Sequence, residues 1–557
     1  MSSIPPTVSA ASFAAPSTGD FSEMKALIVD DNNMSRITLA SVLRDCGIGR
    51  IKTVPGTHQA RVHLQANTYD VILCEYHFSG PESGQDLLDE IRYTRMVPFR
   101  TVFFMVTGEA TYERVAEVVE NAPDDYLLKP FKPAALEERL HKALAKKIAL
   151  LPIYQKMEAK DFEGALSICK KTVRELDTYW LDAARIGAEL SLYLKRHKQA
   201  QVFFDIVLKA KALPWAKLGL AQLAYSSDDA AKARGTLEAL VSNTSAYADA
   251  YDLLARIYFE EGQLSQALDT LRRGVEATPA NLQRLQKLGS LAYFVGEAAE
   301  SEAMLAKAFR LGFGSRAFDL QSVLQLALLA QARGASAKDI ERFCLPLETA
   351  LAKTPDDFRL STLTQIAQVC AAMARKNPAE VVQRVKAMEG WLEHPEFDFE
   401  CACNLLSLLG LVGSQEIRLP DAPLWVQRTA RRHCISKTAA DLLCASLGGL
   451  KELIEIVEKE QAQVTFQAND AMSRLLKGDA DGTALRLTQV ARETLNARLF
   501  GLAESLAIKH RDRLSDASMS LILQAQEVRQ KFCSRGTQVS LARMAEAGRS
   551  AKTLPFP

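Results

Sequence analysis

The chain changes its hydrophobic rhythm once. Up to about residue 130, short apolar runs alternate with amphipathic stretches. Met24 to Val29, Arg50 to Pro55, Tyr69 to Tyr76, Arg100 to Thr107 and Asp124 to Lys129 read as strands, while Ser35 to Cys46 and Thr111 to Asn121 carry a helical period. Strand and helix alternating five times predict an α/β doubly wound, five-stranded parallel sheet. In such sheets the carboxyl ends of the strands border one crevice. Asp30, Asp31, Glu75, Thr107 and Lys129 all fall at those ends and are expected to be neighbours.

Beyond the stretch Lys132 to Leu150 the strand signals stop and the text becomes helical in a recurring phase. The small residues Ala165, Ala200, Ala233, Ala267 and Ser301 recur at separations of 35, 33, 34 and 34. A small residue is needed where the two helices of a hairpin cross closely. Four positions later stand Cys169, Phe204, Leu237, Leu271 and Leu305, which fill the gap toward the next hairpin. The unit running from Tyr251 through Tyr258, Gly262, Ala267, Leu271 and Gly274 to Pro279 resembles the tetratricopeptide repeat. Residues 313–465 show helices without a clear phase and read as degenerate hairpins, and residues 466–557 return to a turn-then-helix pattern before a tail. Hairpins of this kind bury both faces only by stacking, so an all-α solenoid is expected from residue 148 onward, with its regular repeats in 148–312.

Composition narrows the function classes. The 557 residues carry a net charge of +1 and no long basic run, which disfavours nucleic acid as a ligand. Ten scattered cysteines read as reduced core residues of a cytoplasmic protein, and Cys401 and Cys403 lack the second pair that a zinc site requires. No window approaches the roughly 18 uninterrupted apolar residues of a membrane span. Residues 1–22, rich in Ser, Ala and Pro and without Lys or Arg, read as a disordered leader and not a targeting peptide. No nucleotide loop, catalytic triad signature or metalloprotease motif is present, so the chain is not expected to be an enzyme.

Val29-Asp30-Asp31-Asn32, Glu75, Thr107-Gly108 and Lys129-Pro130-Phe131, in this order and spacing, resemble the receiver domain of bacterial two-component response regulators, over residues 23–147. The resemblance implies that Asp30 and Asp31 form an acid pocket holding Mg2+. It also implies that the position of Glu75 accepts phosphate from a histidine kinase or phosphotransfer protein, and that Thr107, Lys129 and Tyr126 are the switch residues, the aromatic swinging inward. Dimerisation through the domain's last helices is a further implication. The family's acceptor is aspartate, whereas this chain has Glu75, whose carboxylate reaches about 1.5 Å further into the cleft. Small displacements of this size cost about 100-fold in near-attack geometry. Glutamate also carries one negative charge against roughly 1.5 to 2 for phosphate, so any imitation of a phosphoryl group is partial. The loop His77 to Gly84 is one residue longer than the family path. Taken alone, Asp30 and Asp31 also read as a solvated turn and helix N-cap.

The expected reading is a cytoplasmic signal-transduction adaptor: an atypical receiver that regulates or docks a protein-binding helical scaffold. A phosphorelay regulator that still turns over phosphate, and a purely structural assembly scaffold, stand beside it. Repeat phase puts Leu192, Tyr225, Phe259 and Tyr293 at one first-helix position, with Arg185 and Arg256 at others that such repeats turn toward a concave groove for a protein partner. Two readings of the aromatics stay open, a ridge for a partner and ordinary core.

Overall fold

The computed structural model describes residues 21–79, 83–94, 96–108, 123–243, 247–279, 281–314 and 318–533. The expected helix Thr111 to Asn121, the leader up to residue 20, the tip of the loop before Gly84 and the tail after 533 lie outside the described residues. Two compact units divide the chain, one reaching to Asp249 and one starting at Ala250.

The first unit opens with the sheet. Strands β1 (Lys25–Val29), β2 (Arg50–Val54), β3 (Val71–Glu75), β4 (Val102–Thr107) and β5 (Asp125–Leu128) are all parallel and stand in the order β2-β1-β3-β4-β5. β3 and β4 are buried at every position, as expected of strands covered on both faces. Side chains alternate between two layers. Ile28, Leu73 and Phe104 pack with Leu39, Leu43, Leu136 and Leu140 of α1 (Asn33–Asp45) and the helix Pro133–Ala149. Leu27, Ile72, Phe103 and Met105 pack with Leu64, Leu87 and Ile91 of α2 (Thr57–Ala66) and α3 (Gly84–Thr94).

Helical hairpins follow without a linker, because Leu150 caps both Pro133–Ala149 and Leu151–Glu158. The joint is built at the amino ends of β4 and β5, the end of the sheet opposite the acid residues. Lys147 bonds the Phe99 carbonyl at 3.0 Å and pairs with Asp124 at 2.9 Å, and the Phe99 ring stacks on Tyr154 at 6.2 Å. Glu158 accepts the Phe99 amide at 3.0 Å. Burial pushes the Lys147 pKa down against the pull of Asp124. Asp124 is itself held below its usual value, because Lys147 and Arg92 outweigh the burial that would raise it.

The small residues of the repeat phase, Ala165, Ala200, Ala233, Ala267 and Ser301, are each fully buried. So are Cys169, Phe204, Leu237, Leu271 and Leu305, at 5 % exposure or less. The close crossings are visible at glycines of the first helices. A Cβ on Gly187 would stand 2.5 Å from the Phe203 ring, and one on Gly289 would stand 2.6 Å from Leu305.

The second unit is built round enclosed helices. Its core runs from Ala255 to Val457, and helices Gln321–Ala332 and Phe399–Ser414 are buried nearly all the way round. A helix apolar on every side cannot line a wet surface. Several of the polar groups these helices carry are matched internally. Gln321 and Asn404 exchange amide hydrogen bonds of 2.7 and 2.9 Å, and Ser290 donates to Gln325 at 2.7 Å. Arg359 bridges Asp319 and Glu400 at 2.7 and 2.6 Å. No helix among the described residues is long and apolar enough to cross a membrane.

Candidate functional site: an acid cleft closed by a lysine

Sheet register assembles the cleft. Val29 lies beside Cys74, Glu75 beside Val106, and Thr107 beside Leu128, so residues 30, 75, 107 and 129 follow one another across the strand ends. The Lys129 amide donates to the Thr107 carbonyl at 2.7 Å, which ties the last two strands together at the site. Gly84, the first residue of α3, closes the wall. A Cβ there would stand 2.2 Å from the Glu75 carbonyl oxygen, so only glycine fits.

The Lys129 ammonium sits between two carboxylates, 2.6 Å from Glu75 Oε2 and 2.7 Å from Asp30 Oδ2. The other Glu75 oxygen, Oε1, accepts the amides of Tyr76 at 2.8 Å and His77 at 3.3 Å. Asp30, 1 % exposed, also accepts the Ser35 hydroxyl at 2.5 Å and the Asn32 amide at 2.8 Å. Burial opposes the charge on Lys129, yet its bonds to Asp30 and Glu75 prevail and raise its pKa above the usual value. Thr107 is buried at 1 % exposure. The Tyr126 ring is buried as well, in the layer formed by Ile72, Cys74, Leu87 and Met105, so it lies inward.

Asp31 faces elsewhere. Its Oδ2 accepts both the hydroxyl and the amide of Ser79, at 2.7 and 2.9 Å, and the hydroxyl bond holds its pKa below the ordinary carboxylate value. The acid pair therefore does not converge. Among the described residues no group of three or more His, Cys, Asp or Glu side chains is poised around one point. The oxygen ligands suit a hard cation in kind. The Lys129 ammonium stands between Asp30 and Glu75.

Ser35 and Ser79, which hold the two aspartates, were not singled out in the sequence. Ser35 carried a weak signal as a residue of the first turn of α1, where Asn32 caps the helix by accepting the Met34 and Ser35 amides at 2.9 and 3.1 Å. Ser79 carried none, since its loop comes near Asp31 only in three dimensions. Arg36 donates to the Asp30 carbonyl at 2.6 Å and was likewise missed.

The residues expected in a partner groove have other surroundings. In the first unit, Arg185 pairs with Glu189 at 3.3 Å and lies 5.7 Å from the Trp215 ring, and Tyr225 is half-buried. In the second unit, Arg256 pairs with Glu260 at 3.0 Å, one turn along its own helix. Phe259 and Tyr293 pack against the central core, and Tyr293 meets Phe294 edge-on at 5.1 Å. Burial raises the Tyr293 phenol pKa well above its usual range. Both aromatics are half-buried, with one side against the core.

The response regulator receiver domain model matches residues 26–141. Chemotaxis protein CheY-3 of Vibrio cholerae serotype O1 is 32 % identical over 119 residues, which span 21 % of this chain and 90 % of that protein. This chain belongs to the response regulator receiver family. Chemotaxis protein CheY of Pseudomonas aeruginosa is 29 % identical over 119 residues, 21 % of this chain and 94 % of that protein. The helical part also has solved neighbours. A tetratricopeptide repeat protein from Parabacteroides merdae aligns at a TM-score of 0.31 and 14 % identity, over 51 % of this chain and 98 % of that one. The C-terminal part of a TPR repeat-containing protein from Cytophaga hutchinsonii aligns at 0.29 and 11 %, over 55 % and 98 %. The receiver is followed along the chain by a long region of tandem helical hairpins, and Glu75 stands in its strand-end cleft beside Lys129.

Proposed function

We propose that the chain is a signalling adaptor whose receiver works without aspartyl phosphate and whose helical region binds another protein. The observation that carries this reading is the Lys129 ammonium held 2.6 Å from Glu75 and 2.7 Å from Asp30. A nucleophilic carboxylate needs an oxygen presented to the incoming phosphorus. Both Glu75 oxygens are engaged, one by Lys129 and one by the Tyr76 and His77 amides. A glutamate on the switch lysine, with the Tyr126 ring turned inward, supports a receiver held in the conformation that phosphate induces in its relatives. A histidine kinase or phosphotransfer protein then acts on this receiver as a docking partner and not as a phosphate donor. Magnesium is not required for the charge balance of the cleft, since a bound ion has to displace Lys129 from Asp30 and Ser79 from Asp31.

The rival reading, a phosphorelay regulator, draws on Asp30, Thr107 and Lys129 standing in one cleft. Incubation with a small-molecule phosphodonor and Mg2+, read by intact mass, separates the two. The expected result is no phosphate on the wild type and one on Glu75→Asp. A phosphate gained by the wild type and lost in Glu75→Gln overturns the proposal.

A further inference from the structure

β5 is held at its two ends by ion pairs that belong to different parts of the molecule. Just past its carboxyl end, Lys129 reaches Glu75 at 2.6 Å and Asp30 at 2.7 Å. Just before its amino end, the Asp124 carboxylate pairs with Lys147 at 2.9 Å and accepts the Phe103 amide of β4 at 2.9 Å. The strand between them has four residues, stands at the edge of the sheet and pairs with β4. At about 3.3 Å per residue, the two ion pairs lie roughly 16 Å apart. β4 is bonded to this segment at both extremes as well. The Asp124 amide donates to the Phe103 carbonyl at 2.8 Å, and the Lys129 amide to the Thr107 carbonyl at 2.7 Å. A short edge strand bonded in this way shifts as one piece, because close-packed interiors transmit strain.

Lys147 carries the amino-end contact into the first helical hairpin. The same ammonium donates to the Phe99 carbonyl at 3.0 Å, and Glu158 accepts the Phe99 amide at 3.0 Å. Both polar main-chain groups of one residue are thus gripped by side chains of two successive helices, Pro133–Ala149 and Leu151–Glu158. The Phe99 ring packs against the core that holds Ile153, Tyr154 and Met157. We infer that β5 is a lever which sets helix Leu151–Glu158 according to the state of the acid cleft. Lys129 drawn onto Glu75 and Asp30 is one position of the lever, and Lys129 released is the other. The receiver thereby reaches the helical region from the end of the sheet opposite the cleft. This rests on the adaptor reading only in taking the cleft as the regulated site. A phosphate gained by Glu75 defeats that reading and leaves the lever intact.

The test uses the full chain with labelled isoleucine methyl groups. Glu75→Gln keeps the shape of the side chain and weakens its hold on Lys129. It is expected to move the signal of Ile153, 1 % exposed on the hairpin helix, and to leave that of Ile48 in place. Ile48 is buried just before β2, a strand that takes no part in the joint. Asp124→Asn cuts the link, because an amide oxygen still accepts the Phe103 amide but no longer attracts Lys147. In that background the same change at residue 75 is expected to move Ile153 at most about half as far, the non-additivity that marks coupled sites. Lys147→Met, a cut from the other side, is expected to give the same reduction. An unmoved Ile153, an Ile48 that moves as far, or an Ile153 displacement that survives both cuts overturns the inference.

Discussion

Replacing Lys129 by methionine removes the one cation between two carboxylates and keeps most of the side chain's volume. Asp30 and the Glu75 side chain, 1 and 11 % exposed, then face each other across the space the ammonium filled. Breaking a buried pair by deleting one partner costs about 3–5 kcal/mol. The Lys129 side chain is 26 % exposed, so water screens part of the loss and about 3 kcal/mol is expected. Hydrogen exchange followed by mass spectrometry reads this in the intact chain, through peptides covering β1 and β3. A deficit of that size is roughly a 100-fold loss of protection. Adding Glu75→Gln should restore protection to within about tenfold of the wild type, because one carboxylate then remains with Ser35 and the Asn32 amide to hold it. Unchanged protection in Lys129→Met, or a deficit indifferent to the second substitution, refutes the closed cleft.

Other expectations follow from the same geometry. Gly84→Ala places a methyl group 2.2 Å from the Glu75 carbonyl oxygen and 2.9 Å from Met105 Sδ, and should cost at least about 2 kcal/mol in β3 exchange protection. Ala267→Leu puts a large side chain at a fully buried crossing and should lower the second unit's urea midpoint by the equivalent of about 1–3 kcal/mol, read by circular dichroism. The joint at Lys147 is pH-sensitive in a defined direction. Asp124 has its pKa depressed below 3.8 in the folded protein, so its contribution is present above 3.8 and is lost as pH falls through that lower value. Exchange in residues 96–101 and 150–158 should stay slow down to that point, whereas Lys147→Met, which leaves Asp124 buried without its ammonium, should already be fast at neutral pH. Ser79→Ala removes the hydroxyl that lowers the Asp31 pKa, so the Asp31 titration followed by carboxyl NMR should move upward.

The alternation of apolar and amphipathic runs determined the receiver sheet by itself, because strands covered on both faces leave nearly unbroken hydrophobic words and their polar ends must share a crevice. The crossings at Ala165, Ala200, Ala233, Ala267 and Ser301 were equally legible, since helices that close on each other admit only small side chains at a fixed phase. Tertiary structure decided what the charges do. Lys129 is 54 residues from Glu75 and 99 from Asp30, and nothing local says that one ammonium serves both while Asp31 turns to Ser79. It also decided the burial of the central helices. Helices Gln321–Ala332 and Phe399–Ser414 lost the one-sided pattern that marks a repeat because they are enclosed on nearly every side. Period reports which face of a helix is covered. When all faces are covered the period disappears, and only the packed molecule shows what covers them.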